Sequence, residues 1–126
     1  MPLPLFWSRI LPFWRRAEIR AASYLRSLGF RVVASGFRVK EGEVDLIAWE
    51  RDLLVFVEVK SRLGSDPPEA AVGFAKKRRI ARAARAYIAR HKLQGVTHRF
   101  DIVTVNDVPG QPAVFRLIRD AFRPPY

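Results

Sequence analysis

Two acidic residues and a lysine occupy neighbouring stretches of the chain that are otherwise apolar. In LLVFVEVKSR, alternate valines define one face of a predicted strand, while Glu58 and Lys60 lie on the other face. In the preceding stretch GEVDLIAWE, Asp45 and Glu43 likewise share one face. Carboxylates attract hard divalent cations, and a lysine beside such a cation can orient water or hold a phosphate. These residue types therefore indicate metal-assisted hydrolysis of a phosphodiester.

The connection between the two stretches decides whether their acids meet. The residues ERDL form a tight polar link and predict an antiparallel hairpin. A loop with an even number of residues places Asp45 opposite Glu58 and Glu43 opposite Lys60, with paired Cβ atoms about 5 Å apart. An odd number would turn Asp45 to the other face. The alternative interpretation is a solvated ion pair between Glu58 and Lys60, the commoner role of an isolated Glu-x-Lys.

A third acid lies on the apolar side of a predicted helix. Glu18 precedes Ala21 and Ala22 by three and four residues, a spacing that places it on the core-facing stripe. A buried carboxylate is costly unless it is compensated, so convergence with Asp45 and Glu58 around a cation would explain all three acids. Because the chain contains no cysteine, the ligands must be oxygen or histidine, which suits Mg²⁺ or Mn²⁺.

The charge of the chain points to a polyanionic partner. Its 126 residues include 23 lysines and arginines against 12 acids, a net charge of +11. Nucleic acid is a better match for such an arginine-rich excess than an anionic membrane. The segment KKRRIARAARAYIARHK contains no acid and predicts a phosphate-binding helix, although a solvated helix is the simpler alternative. The residues expected to contact phosphate are Lys76, Lys77, Arg78, Arg82 and Arg85.

Hydrophobic periodicity predicts one α/β domain. Helices are expected at 15–28 and 70–91, and strands at 30–39, 43–49, 53–62, 99–105 and 113–118. The strand at 30–39 should contain a bulge or bend at Gly36, and the strands that flank the second helix should be parallel. Residues 1–13 are expected to form an arm and 14–126 the domain. The apolar opening MPLPLFWSRILPFW is interrupted by prolines and too short to span a bilayer, which predicts a cytoplasmic protein.

The motifs GEVDLIA, VFVEVKSR and RFDIV resemble those of the YraN-type bacterial proteins, which are predicted members of the PD-(D/E)XK nuclease superfamily. The resemblance covers residues 16–122 and implies a restriction-endonuclease-like αβββαβ core, a mixed β-sheet flanked by helices, similar to archaeal Holliday-junction resolvases. It implies that Asp45, Glu58 and Lys60 form the superfamily motif, that Glu18 is the acid of the first helix, and that the carbonyl of Val59 is a further metal ligand. Two positions depart from the pattern: Ala17 stands for the usual glycine, and Ser35-Gly36 for the usual asparagine.

These observations predict a magnesium-dependent endonuclease acting on DNA, with branched DNA among its candidate substrates. One alternative is a nucleic-acid-binding module that keeps the fold without turnover. Another is an interaction protein that docks through its N-terminal arm. By analogy with enzymes that cut two strands, a homodimer is an alternative to a monomer.

Overall fold

The computed structural model describes residues 13–62 and 72–124, which form a five-stranded sheet with a helix on each face. The predicted order of elements is confirmed, although the ends of several elements differ from the prediction. Most of the predicted arm, residues 63–71 with the predicted start of the second helix, and residues 125–126 lie outside the described residues. The elements are α1 (Phe13–Ser27), β1 (Arg31–Val39), β2 (Gly42–Glu50), β3 (Leu53–Arg62), α2 (Phe74–Arg90), β4 (His98–Asn106) and β5 (Val114–Ile118).

The strands follow one another across the sheet in chain order, β1-β2-β3-β4-β5. The β3–β4 pair is parallel, and the other three pairs are antiparallel. The parallel pair was predicted from the length of the connection through α2, since only a long crossover can return a strand in the same direction. The sheet is therefore mixed, as expected for a restriction-endonuclease-like core.

Each helix packs its apolar stripe on one face of the sheet. On one side Leu25 of α1 shares a buried cluster with Val55 and Val57 of β3. On the other side Ile80 of α2 shares a buried cluster with Phe56. Because side chains alternate along a strand, β3 contributes to both cores. Neither described helix, at 15 and 17 residues, is long and apolar enough to cross a bilayer.

The edge strand β1 contains two irregularities. Gly36 has a φ of 64°, a left-handed conformation that favours glycine, so the predicted bend is present. The register shift in the pairing with β2 lies between Val32 and Ala34 rather than at the glycine. The extra residue, Val33, is exposed. A bulge disturbs the ladder least on an edge strand such as β1.

Strand β2 changes phase at Asp45. Val44 and Ile47 both pack in the cluster against α2, whereas Leu46 packs in the cluster against α1. Strict alternation would place Val44 with Leu46, so the pleat is interrupted once between them.

A close contact brings the start of β2 against α2. A Cβ added to Gly42 would lie 2.8 Å from the carbonyl oxygen of Arg79 and 2.9 Å from the amide nitrogen of Ala83. Only glycine permits this approach of strand and helix. As a result, the end of β2 that carries Glu43 and Asp45 lies beside the basic first turns of α2.

Candidate metal and nucleic-acid site

A cleft opens where β2 and β3 diverge. Their pairing stops at Leu46 and Val57, while β2 stays paired with β1 as far as Gly42 and β3 stays paired with β4 as far as Arg62. The cleft has a volume of about 630 Å³. Its charged lining consists of Glu18, Glu43, Asp45 and Glu58 together with Arg38, Lys60 and Lys76.

Asp45 is fixed across the gap between the diverging strands. The β2–β3 hairpin has a two-residue connection, the even number on which the predicted meeting of Asp45 and Glu58 depended. The ladder nevertheless ends one pair before them, and the Asp45 Oδ2 atom instead accepts a hydrogen bond of 2.8 Å from the amide of Val59. Asp45 therefore reaches β3 through its side chain. The predicted pairing of Glu43 with Lys60 does not form, because the strands have already separated.

Glu58 is a buried acid with an unsatisfied oxygen. Its side chain is 3% exposed, and its Oε2 atom has no hydrogen-bond partner among the described residues. Burial raises the pKa of Glu58 to about 9, and hydrogen bonding and charge repulsion from Asp45 act in the same direction, against the opposing charges of Lys76 and Lys60. Without a further cation the carboxyl group is therefore protonated at neutral pH. A buried carboxyl group with one unsatisfied oxygen is suited to binding a cation.

Two lysines line the same cleft at different distances from Glu58. Lys60, two residues along β3, lowers the pKa of Glu58 by its charge but forms no ion pair within the described parts of the chain. Lys76, on the first turn of α2, has its Nζ atom 3.5 Å from Glu58 Oε2. The sequence predicted Lys76 as a phosphate contact, and the structure places it inside the acidic cleft.

Glu43 is surrounded by three cations, an arrangement that the sequence analysis did not identify. Its carboxylate lies 3.0 Å from Arg79, 3.4 Å from Arg38 and 3.8 Å from Lys76. The available signal was Gly42 before it, since a glycine inside a strand often marks a close approach of another backbone. Glu43 therefore links β1, β2 and α2 at the mouth of the cleft.

Glu18 reaches the cleft from the α1 side. Its side chain is 6% exposed, and Ser35 Oγ donates a hydrogen bond of 3.3 Å to its Oε2 atom. Ser35 is one of the residues at which the sequence departs from the family pattern. Within residues 13–62 and 72–124, no three acidic or histidine side chains are close enough to hold a metal by themselves. The structure brings two carboxylates, those of Asp45 and Glu58, together in the cleft, and Val59 lines it beside them.

The basic stripe of α2 faces solvent as predicted. Arg78, Arg82 and Arg85 are exposed, whereas Ile80 and Tyr87 are buried against the sheet. The exposed stripe begins beside the cleft, because Lys76 precedes it on the same helix and reaches Glu58.

Several basic side chains of α2 have specific local contacts. The Lys77 Nζ atom lies 5.7 Å from the centroid of the Phe122 ring. The guanidinium carbon of Arg78 lies 5.8 Å from the centroid of the Phe74 ring. Arg82 Nη1 donates to the carbonyl oxygen of Glu41 at 3.5 Å. Contacts of this kind are weak enough for these cations to exchange partners.

A second cleft, of about 760 Å³, lies at the β2–β3 turn and includes Glu50, Arg51 and Asp52. Both carboxylate oxygens of Glu50 form ion pairs, one with Arg99 Nη2 and one with Arg119 Nη2, at 2.7 Å each. This cleft therefore lacks the unsatisfied buried acid that distinguishes the cleft around Glu58.

The αβββαββ order around a mixed five-stranded sheet is consistent with a restriction-endonuclease-like core. The family model described as "Uncharacterised protein family UPF0102" matches residues 17–105, and the chain belongs to this family, which is that of the YraN-type proteins indicated by the motifs.

Relatives from several bacteria match most of the chain. A UPF0102 protein of Symbiobacterium thermophilum is 44% identical over 107 residues, which cover 83% of this chain and 91% of the relative. One from an Arthrobacter species is 44% identical over 106 residues, 82% of this chain and 90% of the relative. One from Solibacter usitatus is 45% identical over 95 residues, 72% of each chain. The family match spans the residues of the cleft and all of α2.

Proposed function

We propose that this chain is a metal-dependent endonuclease that hydrolyses phosphodiester bonds in DNA, with branched DNA among its candidate substrates. The observation that carries the proposal is the buried Glu58 carboxyl group, which lies beside Asp45 in an open cleft with one oxygen lacking a hydrogen-bond partner among the described residues. A buried acid left in this state costs stability, and such a cost is commonly retained at functional sites.

The cleft suits a hard divalent cation such as Mg²⁺ or Mn²⁺. The carboxylates of Asp45 and Glu58 and the carbonyl of Val59 would hold it, because all three supply oxygen and the unsatisfied atom of Glu58 needs a positive partner. When bound, such an ion activates water and neutralises charge that develops on the phosphodiester.

The other residues of the cleft have separable roles. Asp45 is held in place by the Val59 amide, so it need not reorganise during the reaction. Lys60 forms no ion pair with another described residue, and its ammonium group can hold a substrate phosphate or orient water. Glu18, bound by Ser35 on the opposite wall, can accept a hydrogen bond from water in the cleft.

Nucleic acid would lie along α2. Lys76, Lys77, Arg78, Arg82 and Arg85 extend from the cleft along the helix, and the three arginines are exposed. Lysine and arginine side chains commonly bind backbone phosphates, and such contacts carry no sequence information. This surface would therefore bind without strong sequence preference.

The cleavage test compares wild-type protein with Glu58→Gln, Lys60→Ala and the control Glu50→Gln. Supercoiled plasmid, a four-way junction, single-stranded DNA and RNA are incubated with Mg²⁺, Mn²⁺ or chelator. We expect metal-dependent cleavage of DNA by the wild type and by Glu50→Gln, at least about a hundredfold less by Glu58→Gln, and an intermediate loss for Lys60→Ala. Equal cleavage by Glu58→Gln and Glu50→Gln would contradict the proposed site.

A catalytically silent binding module is the second candidate. It is favoured by one observation: the described residues contain no cluster of three acidic or histidine side chains able to hold a metal alone. If the wild type binds these nucleic acids but cuts none with any metal, this candidate replaces the first. Sedimentation of the same samples tests whether a homodimer supplies two sites for two strands.

The binding surface is tested by reversing charge at Arg78, Arg82 and Arg85 together. The matched control reverses Arg26, Arg116 and Arg123, which are exposed arginines outside α2. Both triple variants have the same net charge, so a difference between them reports position. We expect the α2 variant to bind duplex DNA more weakly and to lose about 0.9 units of salt slope per phosphate contact removed. Equal slopes in the two variants would place the binding surface elsewhere.

A further inference from the structure

Lys76 lies near two acids of the cleft, and these acids differ in the number of other cations around them. Its Nζ atom lies 3.5 Å from Glu58 Oε2 and 3.8 Å from Glu43 Oε1. The Lys76 side chain is 30% exposed, whereas that of Glu58 is 3% exposed. One ammonium group therefore stands between the buried acid and the open cleft.

Glu43 does not depend on Lys76. Arg79 approaches Glu43 to 3.0 Å and Arg38 approaches it to 3.4 Å, both closer than Lys76. By contrast, among the described residues Lys76 is the cation that lies within ion-pair distance of Glu58. Loss of the Lys76 charge should therefore affect Glu58 more than Glu43. Lys76 is not locked beside Glu58, because Glu58 Oε2 forms no hydrogen bond with the described residues.

We propose that Lys76 exchangeably occupies the cation position beside Glu58 and so couples binding of the divalent cation to binding of nucleic acid. While the site holds no divalent cation, its ammonium group lies 3.5 Å from Glu58 Oε2, the oxygen that such a cation would bind. A divalent cation bound there would replace the proton of Glu58 and repel Lys76, whose long flexible side chain can then bind a substrate phosphate. This inference rests on the proposed function, and it concerns how that site is regulated.

The exchange predicts that cation and nucleic acid strengthen each other's binding. Thermodynamic linkage requires the effect to be reciprocal, since the same free energy couples the two ligands in either order of binding. Without nucleic acid, Lys76 competes with the cation for Glu58. With nucleic acid, a phosphate takes Lys76 away and the competition ends.

The adjacent lysine provides a matched control. Lys77 lies one position further along α2, and its Nζ atom lies over the Phe122 ring rather than beside Glu58. Lys77→Gln and Lys76→Gln therefore remove the same charge from the same helical turn. Only the second substitution removes a contact with the buried acid. Lys76→Arg keeps the charge and tests whether positive charge alone is sufficient.

The experiment measures Ca²⁺ binding by calorimetry and binding of a four-way DNA junction with Ca²⁺ or chelator at constant ionic strength. Gels check that the DNA stays intact. We expect Ca²⁺ to strengthen junction binding by wild type, Lys76→Arg and Lys77→Gln about tenfold. In Lys76→Gln most of this enhancement should be lost. Without DNA, Lys76→Gln should bind Ca²⁺ more tightly than Lys77→Gln does.

Two results would overturn the inference in distinguishable ways. If wild type binds Ca²⁺ and Lys76→Gln shows the wild-type enhancement, the exchange of Lys76 is wrong while the proposed metal site stands. If wild type binds no Ca²⁺, Mg²⁺ or Mn²⁺, the proposed function and the inference both fail. Thermal unfolding of each variant verifies that it is folded in the assays.

Discussion

Two buried acids on adjacent parallel strands differ sharply in their surroundings. Glu58 of β3 is 3% exposed and Asp101 of β4 is 0% exposed. Asp101 pairs in register with Val57, the residue directly before Glu58. Because the neighbours of Asp101 on β4 pack against α2, Asp101 points to the α1 face. The two acids thus have similar burial, lie one register step apart, and occupy opposite faces of the sheet.

Their partners account for the difference. Asp101 accepts two hydrogen bonds of 2.7 Å from Arg99 and one of 2.9 Å from the amide of Asp120. Glu58 has a second acid, Asp45, beside it and a lysine 3.5 Å away. A buried charge that is fully paired is structural, whereas one left incompletely paired in an open cleft is available to a ligand. Burial alone does not separate the two roles.

The largest expected effect is loss of stability in Asp101→Asn. The substitution removes the acid that accepts two hydrogen bonds from the largely buried Arg99 guanidinium, leaves Glu50 as its remaining acidic partner, and replaces a fully buried acceptor oxygen with an amide donor. We expect a decrease of about 3 kcal/mol or more in the free energy of unfolding, measured by denaturant titration. Glu58→Gln, with a similar change of side chain, should lose little or gain stability. Similar losses in the two variants would remove the distinction between the two acids.

Divalent cations should stabilise the protein through Glu58. At a free Mg²⁺ concentration of about 100 times its dissociation constant, the wild type should gain about 2.7 kcal/mol. Thermal unfolding with and without chelator measures the gain. Asp45 and Glu58 supply the charge for this binding, so Glu58→Gln should show almost no response, while Glu50→Gln should respond like wild type. An Mg²⁺ response in Glu58→Gln equal to that of wild type would place the cation elsewhere.

The pH dependence of stability should differ between wild type and Glu58→Gln in chelator. The folded protein raises the pKa of Glu58 from 4.5 to about 9, chiefly through burial, so between these values it keeps a proton that the unfolded chain releases. The wild type should therefore lose stability relative to the variant as pH rises, by up to about 1.4 kcal/mol per pH unit. Unfolding titrations at several pH values measure this difference, and a difference that does not change with pH would contradict it.

The smallest effect is expected for Glu50→Gln. Hydrogen bonds from Arg119, with a further contribution from Arg99, lower the pKa of Glu50 to about 2. Its contribution to stability is therefore complete above pH 4.5 and is lost as the pH falls toward 2. Because the pair with Arg119 is half exposed, we expect about 1 kcal/mol or less at pH 7. A deficit that persists at pH 2 would show that packing, rather than charge, is lost.

Lys60 and Lys76 show which positions in the cleft local sequence patterns can predict and which they cannot. Lys60 shares a strand with Glu58, and its presence in the cleft follows from the two-residue period of a strand. Lys76 is separated from Glu58 by the connection to α2, and no local pattern relates the two. It was predicted as a phosphate contact beside the site because it lies at the start of a basic helix, on the side nearer β3. Its position beside Glu58 depends on how α2 packs against the start of β2, which Gly42 permits.

The sequence by itself determined the order of helices and strands, the parallel β3–β4 pair, the exposed arginines of α2 and the family. All of these follow from periodicity, loop length and motifs, which are properties of neighbouring residues. Only the tertiary structure decided that β2 and β3 separate after Leu46, that Asp45 reaches the Val59 amide, and that Glu58 keeps one oxygen without a partner among the described residues. Burial and charge at a site depend on every element packed around it, and contacts between distant elements are not encoded in local spacing.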